Sequence, residues 1–201
     1  MRHLSSFFIL GLLTYISFPS QAQTYEDSIH AYQHKLNLSF ADPETSPLPL
    51  EKINGFEGLP FFHIDESYRI VARLEILPAS DPFRMRTSDR SMREFDRYAL
   101  AHFEWEGKEY TLTVYQNTAN RFEPGEEKSL FLPFTDRSNW NQTYGGGRYL
   151  DLEIPEGEYL VIDFNKAYNP YCAYSNRYSC PIPPKENDLG FEVLAGVRYE
   201  N

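Results

Sequence analysis

Positive charge, cysteine and long apolar runs are all scarce in this chain. Nineteen Lys and Arg stand against 29 Asp and Glu, for a formal charge of −10. That deficit argues against partners such as nucleic acid or anionic membrane surfaces, which are held by clustered cations. The two cysteines allow one intramolecular pairing and no disulfide framework. Beyond the first eighteen residues no segment is long and apolar enough for a membrane helix. Several catalytic and metal patterns are missing too: no GxSxG elbow, no HExxH and no EF-hand loop. No reaction can be read from a motif.

What is present begins with an export address. Arg2 and His3 precede a mostly apolar stretch from Leu4 to Phe18, and Ser20-Gln21-Ala22 supplies small residues at the usual cleavage positions. This pattern predicts a signal peptide over residues 1–22 and a periplasmic or secreted domain over residues 23–201. The stretch is short for a membrane anchor and is interrupted by Ser5, Ser6 and Thr14. No cysteine follows it to carry a lipid. Loss of Arg2 makes the mature chain more acidic by one charge, which suits a soluble exported protein.

The remaining length fits one domain with a core of its own. Tyr25, Ile29, Tyr32, Leu36 and Phe40 recur at spacings of three and four and predict a helix from Thr24 to Phe40. Thr24 and Asp27 stand where a capping box places its two partners. Pro43, Pro47 and Pro49 end the helix. Alternation from Tyr68 to Ile76 then predicts a half-buried strand. Hairpins are expected around Glu106-Gly107-Lys108 and around Pro155-Glu156-Gly157. Further strands are expected at Ser129 to Phe134 and at Phe191 to Ala195. Without repeated βα spacing a parallel doubly wound sheet is not expected. The expected fold is mainly β, an antiparallel barrel or sandwich with an N-terminal α-helix.

The candidate site lies between Thr143 and Gly196. Gly145, Gly146 and Gly147 allow close backbone approach, and Arg148 after them can hold an anion or brace a turn. Asp163 closes a predicted strand and needs a partner if buried, for which Arg148 is the candidate. Asn165, Asn169 and Asn187 suit turns braced by side-chain hydrogen bonds. Tyr144, Tyr168 and Tyr174 offer stacking area. Cys172 and Cys180 fit a disulfide in an oxidising compartment, or a thiolate pair for redox or metal chemistry. Their spacing is wider than zinc-site pairs and no His lies nearby in sequence, so no metal site is expected. His30 and His34 share a helix face with Glu26, an arrangement far more often inert than ligating.

These residues carry a resemblance. Thr143-Tyr144-Gly145-Gly146-Gly147-Arg148-Tyr149-Leu150-Asp151, Asp163-Phe164-Asn165-Lys166-Ala167-Tyr168-Asn169-Pro170 and Cys180-Pro181-Ile182-Pro183-Pro184 resemble the bacterial and archaeal domain of unknown function 1684 family. Ser46-Pro47-Leu48, Phe56-Glu57-Gly58-Leu59 and Leu132-Pro133-Phe134-Thr135-Asp136 extend the match over most of the mature chain. The resemblance brings no established activity with it, and the cofactor stays unknown. It implies that the motif residues form one site or one structural knot, and that members without signal peptides keep both cysteines. Where the family pattern reads Ala-Gly-Glu-Lys, this chain has Ala195-Gly196-Val197-Arg198.

Three functions stay open on the sequence. The first is binding of a small polar or anionic ligand by Tyr144, Gly145 to Arg148, Asp163, Asn165, Tyr168, Asn169, Cys172, Cys180 and Asn187. The second is a hydrolase-like enzyme using Asp163 or Cys172 there. The third is a structural or interaction domain in which the cluster ties loops together.

Overall fold

A computed structural model describes residues 24–78, 82–117 and 129–199. The leader assigned to residues 1–22 lies outside the described residues. Helix α1 spans Tyr25–Ala41. Its capping box forms as the sequence predicts: the Asp27 N–H donates to Thr24 Oγ1 and the Thr24 N–H donates to Asp27 Oδ2, each at 3.1 Å. Ile29 and Phe40 are its fully buried residues, from the face set by the spacing. A one-turn helix, α2, follows at Leu50–Ile53.

Seven strands come next: β1 Arg69–Ile76, β2 Phe83–Arg86, β3 Met92–Trp105, β4 Lys108–Asn117, β5 Ser129–Phe134, β6 Arg148–Glu153 and β7 Tyr159–Asp163. All pairings are antiparallel, in the order β6-β5-β4-β3-β1-β7, with β2 on the outer part of β3. The sheet curls into a nearly closed barrel. Alternating residues such as Ala72, Ala101, Leu112, Leu132, Leu150 and Ile162 fill its interior. A smaller cluster of Met85, Phe95 and Tyr115, with Phe83 and Phe131 against it, lies apart from that core beside β2.

The β3–β4 hairpin turns on Glu106 and Gly107, both at positive φ (49° and 74°), as a two-residue turn between right-twisted strands requires. A bulge between Arg97 and Ala99 bends the long β3.

Two expected elements differ. The second hairpin does not form: β6 pairs with β5, β7 pairs with β1, and no ladder joins β6 to β7. Five residue pairs with β1, Arg69 to Asp163 through Arg73 to Tyr159, hold β7 away from its sequence neighbour. The two strands are the barrel's free edges, and a groove lies between them. Phe191 to Ala195 is not a strand either. The carbonyls of Val193 and Ala195 accept hydrogen bonds from Arg148, and the Val193 N–H donates to Asp136. Buried side chains, not a ladder, hold these backbone groups. The short β2 carried no sequence expectation.

Helix α1 packs outside the barrel against the segment after β7. The Tyr25 hydroxyl donates to Asp163 Oδ1 at 3.0 Å and the Tyr32 hydroxyl to the Lys166 carbonyl at 2.8 Å. Phe40 stacks on Phe56 and meets the edges of Tyr171 and Tyr174.

Candidate functional site

Much of the motif cluster is turned inward. Arg148 has no exposed surface, and its partner is Asp136 rather than the expected Asp163, with Nη2 donating to Oδ2 at 3.0 Å. Position explains the substitution: Arg148 opens β6 at the end where β5 leads into Asp136, whereas Asp163 ends β7 and faces α1. Asp163 accepts from Tyr25 and from the Asn165 N–H and Nδ2. The same Asn165 amide donates to the Asp65 carbonyl and accepts from the Asp65 N–H. Asn187 plays the same part deeper in the protein, spanning Thr113 N–H, Thr113 O and Pro133 O at 2.8 Å each. Asn169 donates to the Tyr174 hydroxyl and the Arg198 carbonyl.

The glycines are also tightly enclosed. Gly147 has φ +87°, and a Cβ there would lie 2.5 Å from the Phe134 carbonyl oxygen. Beside Gly145 and Gly146 the same substitution meets the Trp140 and Tyr144 rings. Close approach is needed here, and the approaching groups belong to the protein.

The cleft that these bonds frame lies between α1 and β6. It encloses about 470 Å³. Tyr32 and Leu36 of α1 form one wall, Tyr149 and Asp151 of β6 the floor, and Tyr168 and Tyr171 the other wall, closed by residues 178–181. The alternation that sends Leu150 and Leu152 into the barrel sends Tyr149 and Asp151 out into the cleft. A smaller hollow of about 210 Å³ shares Tyr149, Asp151 and Tyr168 and runs on to Phe95 and Phe131.

Asp151 is the acidic group at the cleft floor. It accepts from the Tyr168 hydroxyl at 2.8 Å and is open to solvent on the cleft side. The protein around it displaces part of its water, and this desolvation raises the carboxyl above its ordinary value although Tyr168 pulls the other way. Desolvation and the Asp151 charge together push the Tyr168 phenol well up, so it remains a donor. Lys35 and Arg93, both exposed, bring cationic heads to the rim, and neither has an ion-pair partner among the described residues. The Tyr149 hydroxyl is turned away and donates to the Pro181 carbonyl.

The cysteines stand side by side at the cleft's end. The Cys172 N–H donates to Cys180 Sγ at 3.0 Å, and the sulfurs are not bonded to each other. Cys180 is buried and forms part of the cleft lining; Cys172 is half-buried in a 3-10 turn, Tyr171–Ala173. A hydrogen bond from the Cys180 thiol, aided by Ser88 and Tyr144, brings the Cys172 thiol down to about 6 against the opposing effect of burial.

Of the candidate residues, then, Tyr168 and Cys180 line the cleft. Tyr144 and Cys172 meet each other, and Arg148, Asp163, Asn165, Asn169 and Asn187 are engaged in buried hydrogen bonds. Sequence reasoning missed Tyr32, Lys35, Arg93 and Asp151 as lining residues, while Tyr149 and Tyr178 lie in the segments expected to wall the site. Tyr149 and Asp151 stood inside the glycine motif, and Tyr32 on the helix face. Nothing in the sequence marked Arg93. Among the described residues no three His, Cys, Asp or Glu side chains gather in a group suited to a metal ion. No described helix is long and apolar enough to cross a membrane.

Comparison with solved structures finds the solution NMR structure of an uncharacterised protein from Haloarcula marismortui. It is 32% identical, with a TM-score of 0.68 over 87% of this chain and 94% of that one. No curated protein matches the chain. The model of the family described as protein of unknown function, DUF1684, matches residues 54–198, and the chain belongs to that family.

Proposed function

We propose that this is an exported protein that binds a small organic anion with an apolar or aromatic body in the cleft between α1 and β6. The observation that carries the reading is the tyrosine-walled hollow with the Lys35 and Arg93 cations on its rim. Such a volume suits a small ligand, and convergent polar groups on apolar walls are the usual form of a binding site. Tyrosine walls and two rim cations favour a ligand rich in acceptors. The leader-like residues 1–22 support release to a periplasm or beyond. In that oxidising setting Cys172 and Cys180 can join reversibly in a disulfide.

Mature protein from its export compartment tests the reading by native mass spectrometry and by fluorescence titration with anilinonaphthalene sulfonate, an aromatic anion. The expected result is a co-purifying organic anion or saturable probe binding. The double variant Lys35→Gln/Arg93→Gln should weaken that binding at least tenfold with its melting temperature unchanged. Equal probe binding by the folded variant and the parent, with no small molecule released on denaturation, overturns it.

A further inference from the structure

We propose that Cys172 and Cys180 are a thiol–disulfide exchange pair, in which Cys172 attacks the disulfide of a small thiol and Cys180 resolves the adduct. The proposal stands apart from the identity of the cleft ligand.

Placement is the first argument. Cys180 is fixed on a rigid support. Its N–H donates to Ser88 Oγ at 3.1 Å, the Ser88 N–H donates to its carbonyl at 2.9 Å, and the Ile182 N–H donates to the Arg86 carbonyl at 2.7 Å. A bridge between Thr87 and Pro181 completes the clamp. Cys172 reaches this support from a separate turn, and its N–H bond to Cys180 Sγ brings the two side chains together. The two differ as an attacking and a resolving thiol must. Cys172 is half-buried and reachable, whereas Cys180 is only 7% exposed.

The surroundings of Cys172 are the second argument. A disulfide sulfur is a poor acceptor and has little use for donors. The Cys180 thiol and the Ser88 and Tyr144 hydroxyls lie beside Cys172 and lower its thiol. Donors of this kind stabilise a thiolate, the nucleophilic form. Burial and the Cys172 charge push the Tyr144 phenol up to about 12, so it keeps its proton to donate. The Cys180 thiol is raised by its hydrogen bond to Cys172 and by burial, so it holds its proton until the adduct forms. Arg93 shares the cleft wall with Cys180, which favours a disulfide that carries carboxylates.

The chemistry balances. The Cys172 thiolate attacks one sulfur of RSSR, forming Cys172–S–S–R and expelling RS⁻, which takes up the Cys180 proton. The Cys180 thiolate then attacks Cys172 Sγ and expels a second RS⁻, protonated from solvent. Two electrons pass from the pair to the substrate, which leaves as two thiols while a Cys172–Cys180 disulfide forms. The reverse sequence oxidises small thiols.

The test uses reduced mature protein, iodoacetamide as alkylating probe and oxidised glutathione as substrate. In Cys180→Ala the donating thiol is gone, so the parent and Tyr144→Phe are compared for the rate at Cys172. The expected midpoint is near 6 in the parent and higher in Tyr144→Phe. With oxidised glutathione, Cys180→Ala should accumulate one glutathione adduct on Cys172, and the parent should form the internal disulfide and release two thiols. Cys172→Ala should leave Cys180 at least tenfold slower to react. Circular dichroism and melting identify any variant that has lost its fold. A parent midpoint in the ordinary range near 8.5 overturns the proposal. So does a folded Cys180→Ala that takes up no glutathione, or a parent disulfide that does not equilibrate with the glutathione couple.

Discussion

Arg148 and Asp136 form an ion pair with no solvent exposure on either side chain, Nη2 to Oδ2 at 3.0 Å. Around it, Arg148 donates to the Ala195 and Val193 carbonyls, and Asp136 accepts from the Ser138 and Val193 N–H groups. One pair thus fastens β6, the loop after β5 and the C-terminal segment. Burial lowers the affinity of the guanidinium for its proton and Asp136 opposes that, so the two charges depend on each other. Removing one partner leaves the other charged and dry, which costs about 3–5 kcal/mol. Arg148→Met and Asp136→Asn should each lose that much in urea unfolding. The combination Arg148→Met/Asp136→Asn should lose less than the sum, because no unpaired charge is left behind.

Gly147 makes the neighbouring prediction. Its positive φ is strained for any residue with a Cβ, and the added carbon meets backbone oxygen, which cannot move aside as a side chain can. Gly147→Ala should therefore destabilise by about 2–4 kcal/mol. Gly157, whose added Cβ meets nothing within 4 Å, is the matched control, and Gly157→Ala should change the unfolding free energy by less than about 1 kcal/mol.

The barrel was legible because periodicity reports local burial. Tyr68 to Ile76 alternates, and β1 is a strand with one face inside. Pairing is a property of distant segments, so the hairpin expected around Pro155-Glu156-Gly157 dissolved into two edges claimed by β5 and β1. The site followed the same division. The motif residues were visible because they are chemically unusual, and their density reflects buried hydrogen bonding more than a ligand. Asn187, read as a turn brace, instead satisfies three backbone groups across β4 and β5. Lys35 and Arg93 are ordinary surface cations in sequence, and only the packing of α1 across β6 brings them to one rim.

Asp151 gives a pH signature. Its folded value is raised above the unfolded value, so below the ordinary carboxylate range near 4 both states are protonated and the group contributes nothing. As pH rises from there, the folded state holds more protons than the unfolded one, and stability falls through the folded value. Asp151→Asn should remove that loss. Its melting temperature relative to the parent should climb between pH 4 and neutrality and then level off. Tyr168→Phe, which removes the donor to the carboxylate, should steepen the parent's fall. A parent–variant difference independent of pH would mean that the carboxyl is not desolvated by its cleft.

The start of α1 is held by few groups, and each can be tested alone. Only Ile29 and Phe40 of the helix are fully buried, so its first turn leans on the capping box and on Tyr25. The Tyr25 hydroxyl donates to Asp163 and accepts from Asn165 Nδ2 at 2.9 Å, joining the helix to the loop after β7. Thr24→Ala leaves the Asp27 N–H without its acceptor and should cost about 1 kcal/mol. Tyr25→Phe leaves Asp163 and Asn165 each one partner short and should cost about 1–3 kcal/mol. The two changes act through different anchors of one turn. Hydrogen exchange over residues 24–30 should therefore accelerate in both variants, while protection of β3 and β4 is lost only with global unfolding. Because α1 walls the cleft through Tyr32 and Leu36, Tyr25→Phe should also weaken binding of the aromatic anion probe, even though Tyr25 does not line the cleft.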